Sequence, residues 1–362
     1  MIDGDAYLPV TTNPAYVTAT MPDDGSSVFP TALVVDEARG INWEGGAASF
    51  IDGLASDYSD MQVTLADGET PVPFGVEEFS QTSGSRQLVV HLGIPSLSAS
   101  VGTELLLWRG VGGGPYESRS GVYSPDDGHL WYWPMNEASG DLADWTGNEY
   151  TGTRNGHVAA TGVIGVGQEF NGSGDCIEVA KRNDDNVAVT CGMWVYSTRW
   201  PDYECLGRRH LSGRTALYLR QGSFGIYYNI GNTFRGLISV GINQWHYCAV
   251  VGNDSYLRTY VWDTANGLRQ NDTGVPALWC APDKVGSDHW NQAFKGTLDG
   301  YSLQTVARSA AWLQTTAQLE YYNDAFWSIG EEADTAAKRY PAARRAQIYR
   351  LGPRLVAGGI LI

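Results

Sequence analysis

The chain has 362 residues, 43% hydrophobic and 18% charged, and its 24 Lys and Arg against 40 Asp and Glu leave a net charge of −16. That apolar share excludes a mostly disordered chain. The acidity excludes a protein that tracks nucleic-acid phosphates, which needs clustered Lys and Arg. With 44 glycines and so few charges, many short strands joined by turns are expected, and long surface helices are not. No run of about 18 apolar residues occurs, so no membrane insertion by a helix is expected. The start, MIDGDAYLPV, has neither a charged n-region nor an apolar h-region, so no secretory leader is expected. Five cysteines, at 176, 191, 205, 248 and 280, form no Cys-x-x-Cys pair. An odd count without a leader fits free buried thiols better than a disulfide framework.

In chain order, residues 1–27 are rich in Pro, Asp and Thr and read as an extended arm. Residues 28–110 read as a small β domain, with strands predicted over 31–36, 61–65, 71–79, 87–92 and 104–108. Met61 to Leu65 alternates apolar and polar residues, as a half-buried strand does, and Asp67-Gly68 marks a tight turn. Residues 111–122, with Gly112-Gly113-Gly114-Pro115, read as a Gly-rich linker. From 123 to 327 short strands recur at regular spacing, predicted over 130–133, 176–179, 189–196, 216–219, 225–228, 245–251, 257–262 and 296–303. That spacing predicts a β-sandwich or jelly roll. Ser309 is placed to cap a helix through Glu320, with Trp312, Leu313 and Leu319 on one face. Residues 331–362 carry six Lys and Arg against three Asp and Glu and end in an apolar run. The tail, 328–362, either folds back on its own domain or docks on a partner as an assembly element.

Leu130-Trp131-Tyr132-Trp133-Pro134-Met135-Asn136-Glu137 is followed by Asp144-Trp145-Thr146-Gly147-Asn148 and Gly152. Gly162 to Gly172 and Asp175-Cys176-Ile177-Glu178-Val179 come next, with Cys191-Gly192-Met193-Trp194-Val195 and Gly296-Thr297-Leu298-Asp299-Gly300 further on. In order and spacing these blocks resemble a LamG-like, concanavalin A-like jelly-roll domain. Gly300 stands where that family usually has Glu. Residues 28–110 resemble a β-rich domain that often precedes LamG-like domains in bacterial and phage proteins. The whole is therefore expected to be all-β: a small sandwich-like domain, a jelly roll and an extended tail.

Jelly-roll glucanases of similar fold use a Glu-x-Asp-x-x-Glu strand, and none is present. His-x-x-x-His, His-Glu-x-x-His and Gly-x-Ser-x-Gly are absent too, so no catalytic residue is assigned and no enzyme is expected. The turn of Asp144 and Asn148 offers a carboxylate, an amide and carbonyls to a hard cation. The resemblance implies a structural Ca2+ between this turn and Asp299; alternatively Asp144 and Asn148 only hold the turn backbone. Aromatics at strand ends and in loops can stack on sugar rings: Trp200, Tyr203, Tyr227, Tyr228, Trp262 and Trp290. Trp200, Asp202 and Tyr203, with His289, Trp290 and Asn291, read most like carbohydrate-binding loops. The function expected is a non-enzymatic structural and adhesive virion protein of a phage, a decoration, head-fibre or tail-appendage subunit. Its partners would be other virion proteins or copies of itself through the tail, and a host-surface glycan. The alternative is a secreted or cell-surface bacterial carbohydrate-binding module, and after it a glycoside hydrolase.

Overall fold

The computed structural model describes residues 4–179, 188–199, 203–208, 215–228, 233–274, 282–288, 290 and 292–334. Two β domains are present. In the first, the strand Ala6–Thr12 pairs with Glu104–Arg109, which in turn pairs with Gln62–Leu65. A three-stranded sheet, Phe29–Asp36, Gln87–Ile94 and Phe74–Ser80, closes the other side. Leu8, Val10, Phe29, Leu33, Phe50, Val90 and Leu107 form the core with no more than 1% exposure each.

The range read as an arm thus contributes a strand, and that strand is central. Its outer edge is covered by Trp327–Ile329 and Ala333–Asp334. A break between these two returning strands falls beside Pro9, whose carbonyl accepts from the Gly330 N–H at 2.9 Å. The packing therefore crosses the boundary expected at 327. Trp312, Leu319, Phe326 and Trp327 lie in the first domain's core. The 111–122 segment is docked rather than free. Val111 N–H donates to the Asp60 carbonyl and Ser118 N–H to the Phe74 carbonyl, while Glu117 accepts from Val76 N–H. Of the tail, residues 335–362 lie outside the described residues.

The second domain is a two-layer sandwich of jelly-roll type. One layer is an eight-stranded antiparallel sheet built around Val189–Ser197, Trp245–Gly252, Leu257–Asp263 and Lys295–Gln304. The other is a four-stranded meander, Glu204–Gly207, Thr215–Arg220, Ser223–Tyr228 and Thr233–Ser239, beside a three-stranded sheet. Between the layers lie Trp131, Trp133, Phe170, Leu217, Phe224, Ile226 and Leu303. Trp133 also donates to the Tyr150 carbonyl at 2.7 Å, which satisfies its indole when buried. The four described cysteines, 176, 191, 205 and 248, are buried free thiols.

Between the domains runs the helix Ala310–Tyr321, with the Ser309 hydroxyl accepting from Trp312 N–H at 2.9 Å as its cap. Its apolar residues do not share one face, as expected above, but two. Trp312 and Leu319, seven apart, enter the first domain's core. Leu313 and Ala317, four apart, cover Trp194, Tyr247, Tyr260 and Trp262 on the outer face of the eight-stranded sheet. Those spacings place each pair one above the other on a helix. Just beyond, Asn323 accepts from Val34 N–H and donates to the Ala32 carbonyl, so it covers an otherwise open strand edge.

The contact between domains also buries acids. His91 Nε2 lies 2.6 Å from Glu77 Oε2, and His91 Nδ1 lies 2.7 Å from Tyr123 Oη. Burial pushes His91 down to about 3 and Glu77 well above the carboxylate range, so the pair is neutral. His91 thus joins Glu77 to Tyr123. Arg308, 2% exposed, ties Ser26 of the first domain to Gln304 and the Asp127 carbonyl beside the second.

Candidate functional site

Strand alternation builds the site. On the four-stranded meander, Leu206, Leu217, Leu219, Phe224 and Ile226 point into the sandwich. The intervening positions Cys205, Ala216, Tyr218, Tyr227 and Phe234 then share the opposite, outward face. This face floors a cleft of about 680 Å³, a size suited to a sugar of a few rings. Tyr203 and Trp290 stand at its rim with 40% and 58% exposure, and Arg208 and Arg220 complete the wall.

The rings form a connected surface. Phe234 lies 5.4 Å from Tyr203, 5.8 Å from Tyr218 and 5.1 Å from Tyr227. Beneath them a buried polar network fixes the Trp290 loop. Tyr218 Oη donates to Asp288 at 2.7 Å, and the Arg208 guanidinium bonds Tyr218 Oη at 3.1 Å and Asp288 at 3.4 Å. The other Asp288 oxygen accepts from Trp290 N–H at 2.8 Å and Gln292 N–H at 2.9 Å. Arg208 also stacks on the Trp290 ring at 3.6 Å, so one face of the indole is held and the rest is presented to solvent. No carboxylate lines the cleft among the described residues. The Asp288 carboxylate is 2% exposed and already bonded.

Tyr203, Tyr227 and Trp290 were legible from the sequence, and the structure brings them to this one cleft. Trp200, Asp202, His289 and Asn291 lie outside the described residues, as does the side chain of Tyr228. Trp262 is not a loop aromatic: it is 2% exposed, edge-on to Trp194 at 5.8 Å and packed beneath the interdomain helix. Sequence reasoning missed Tyr218, Arg208, Arg220 and Phe234. The alternation Ala216-x-Tyr218-x-Arg220 was the available signal.

The expected metal residues each bond to the chain around them. Asp144 accepts from Tyr132 N–H, Thr146 N–H, the Thr146 hydroxyl and Tyr150 N–H, all within 3.2 Å. The Asn148 amide donates to the carbonyls of His129 and Leu130. These bonds match the turn-holding alternative. Asp299 instead accepts from Val163 N–H at 2.7 Å and Ile164 N–H at 2.9 Å. Among the described residues no cluster of three His, Cys, Asp or Glu could hold a metal ion. Gly300 has φ +58, a left-handed position that a glutamate would occupy only with strain. Asp144→Ala is expected to cost about 2 kcal/mol by leaving buried donors unpaired. Melts with calcium and with chelator should show the same loss in both; a loss confined to the calcium sample would assign Asp144 to a metal instead.

A sequence model of the concanavalin A-like lectin/glucanases superfamily matches residues 171–314. The opening block at 130–170, which carries much of the resemblance, precedes that match. Its strands His129–Trp133 and Val166–Asn171 nevertheless pair with Lys295–Gln304 in the same sheet. No curated protein matches the chain. Among solved structures, domain 4 of AbnA, a GH43 extracellular arabinanase from Geobacillus stearothermophilus in complex with arabinotriose, is 17% identical. That similarity covers 53% of this chain and 98% of the other at a TM-score of 0.42. Botulinum neurotoxin type C, whose cell entry is dependent upon interaction with two ganglioside molecules, is 9% identical over 54% of this chain and 52% of that one, TM-score 0.41. Tailspike protein 2 of the Escherichia coli O157:H7 bacteriophage CAB120 is 11% identical over 46% and 26%, TM-score 0.33. At these scores none of the three bears on what the chain binds.

Proposed function

We propose that the second domain, a concanavalin A-like jelly roll, binds a glycan in the cleft of Tyr203, Tyr227 and Trp290 and does not cleave it. The observation that carries this reading is a wall of connected aromatic rings with no carboxylate among its described residues. Rings stack on the apolar faces of pyranoses, whereas glycoside hydrolysis needs two carboxylates flanking the bond. Trp290→Ala is expected to weaken glycan binding at least tenfold, about 1.4 kcal/mol, with an unchanged melt because the ring is 58% exposed. A glycan array followed by calorimetry measures the first. Release of reducing ends at enzymatic rates would overturn the non-catalytic part.

We further place the protein on a phage particle as an adhesive subunit, attached through its tail. The support is a C-terminal segment whose basic charge opposes the acidic remainder and whose last residues are apolar. Removing residues 335–362 should then abolish attachment or self-association while the melt is retained. Light scattering and particle sedimentation check it, and a shortened chain that still assembles would overturn it.

A further inference from the structure

We infer that the saccharide taken by this cleft carries a carboxylate, a uronate or sialate, received by Arg220. The inference rests on the glycan-binding reading above and narrows it. The two guanidiniums of the cleft are not equivalent. Arg208 is 5% exposed, paired with Asp288 at 3.4 Å, bonded to Tyr218 and stacked on Trp290. Its charge is matched from within the protein, and it serves as scaffold. Arg220 lies 4.6 Å over the Phe234 ring and 5.4 Å from the Tyr203 ring. Its Nε is buried without a hydrogen-bond partner, and no described carboxylate pairs with it.

A buried N–H of a charged group without a partner among the described residues is costly, so such a group is expected to find its partner in a ligand. A guanidinium held over rings presents a planar fork of N–H donors, which matches the two oxygens of a carboxylate. The neighbouring rings supply stacking for the pyranose that bears it. The chain at −16 repels anions at long range, so selection of an acidic sugar must come from this local charge. Salt should accordingly weaken the acidic preference less than it would weaken a purely surface attraction.

The test is calorimetry on the full chain with matched pairs: trigalacturonate against its methyl ester, and 3′-sialyllactose against lactose. The wild type should bind the acidic member of at least one pair tenfold or more tighter than its neutral partner. Arg220→Gln should erase that preference, while Arg220→Lys should keep part of it. Trp290→Ala should weaken both members alike. Equal binding of acidic and neutral members by the wild type would overturn the carboxylate inference and leave glycan binding standing. Retention of the preference in Arg220→Gln would overturn the assignment to Arg220. Failure of all four sugars and of a broad array would overturn both readings. The comparison within the wild type decides even if a variant does not fold.

Discussion

Trp312→Ala should lower the melting midpoint by roughly 4–7 °C, and a single transition should report both domains. The indole is 3% exposed, 4.6 Å from the Phe29 ring and beneath the Arg308 guanidinium at 4.0 Å. Truncating a buried Trp costs about 3–5 kcal/mol, from lost transfer energy and the cavity left. For a single transition of this length, at about 2.1 cal/mol/K of unfolding entropy per residue, each kcal/mol moves the midpoint by about 1.3 °C. The single transition follows from the helix itself. Trp312 sits in one core while Leu313, its neighbour, is fully buried against the outer face of the other domain's sheet. Displacing the helix uncovers Trp194, Tyr247 and Trp262 at the same time. Scanning calorimetry checks this; two separated transitions, only one of them shifted, would show that the helix does not couple the domains.

Glu320→Gln should stabilise the protein at pH 8 and leave it unchanged at pH 4. Burial pushes the Glu320 carboxyl from 4.5 up to about 7, against the opposing effect of the Trp194 indole N–H that donates to it at 2.6 Å. The folded state therefore holds its proton longer than the unfolded chain does. Stability from this group is whole below pH 4.5 and declines as the pH rises through about 7. One pKa unit is worth 1.36 kcal/mol, and the side chain's partial contact with solvent reduces the full value. A gain of about 2 kcal/mol, roughly 3 °C, is expected above pH 7.5. A glutamine keeps the oxygen that accepts from Trp194 and carries no charge at any pH. The buried histidines act in the opposite sense. His91 and His129 are pushed down to about 3 and His246 to about 4, in each case by burial. Their contribution is present above the ordinary histidine value and is lost as the pH falls through 4 to 3. Parallel melts from pH 4 to 8 isolate Glu320, because the histidines are common to both proteins. An equal difference at both ends of the range would show that the side chain acts by packing alone.

Most strands were legible because alternation survives in a half-buried sheet. The stretch 176–179 matches the observed strand Cys176–Val179, and 245–251 falls one residue short of Trp245–Gly252. Ser309 as helix cap was legible from its hydroxyl and the apolar spacing behind it. What could not be read was which apolar face meets which. Trp194 looks like sandwich core and Trp262 was read as a sugar-stacking ring, yet both lie on the outer face of the sheet, beneath the helix Ala310–Tyr321. The strand Ala6–Thr12 was hidden by Pro9, a residue that argues against a central strand. It fits because the two strands returning on that side part beside it. In the cleft, the exposed rings of Tyr203 and Trp290 declared themselves by their loops. Arg220 and Phe234 did not, because each occupies one position of a strand whose other face is ordinary core.

The strand Ala6–Thr12 has one edge on Glu104–Arg109 and the other on Trp327–Ile329. The first partner is made early in synthesis and the second more than two hundred residues later. At about 5–20 residues per second, the gap is roughly ten to forty seconds. During that interval the first domain lacks Trp312, Leu319 and Trp327, and the edge of its leading strand is open. The jelly roll, contiguous in sequence, can close first and offer its outer face as a platform. Of the two domains, the one made earlier is thus the one that finishes later.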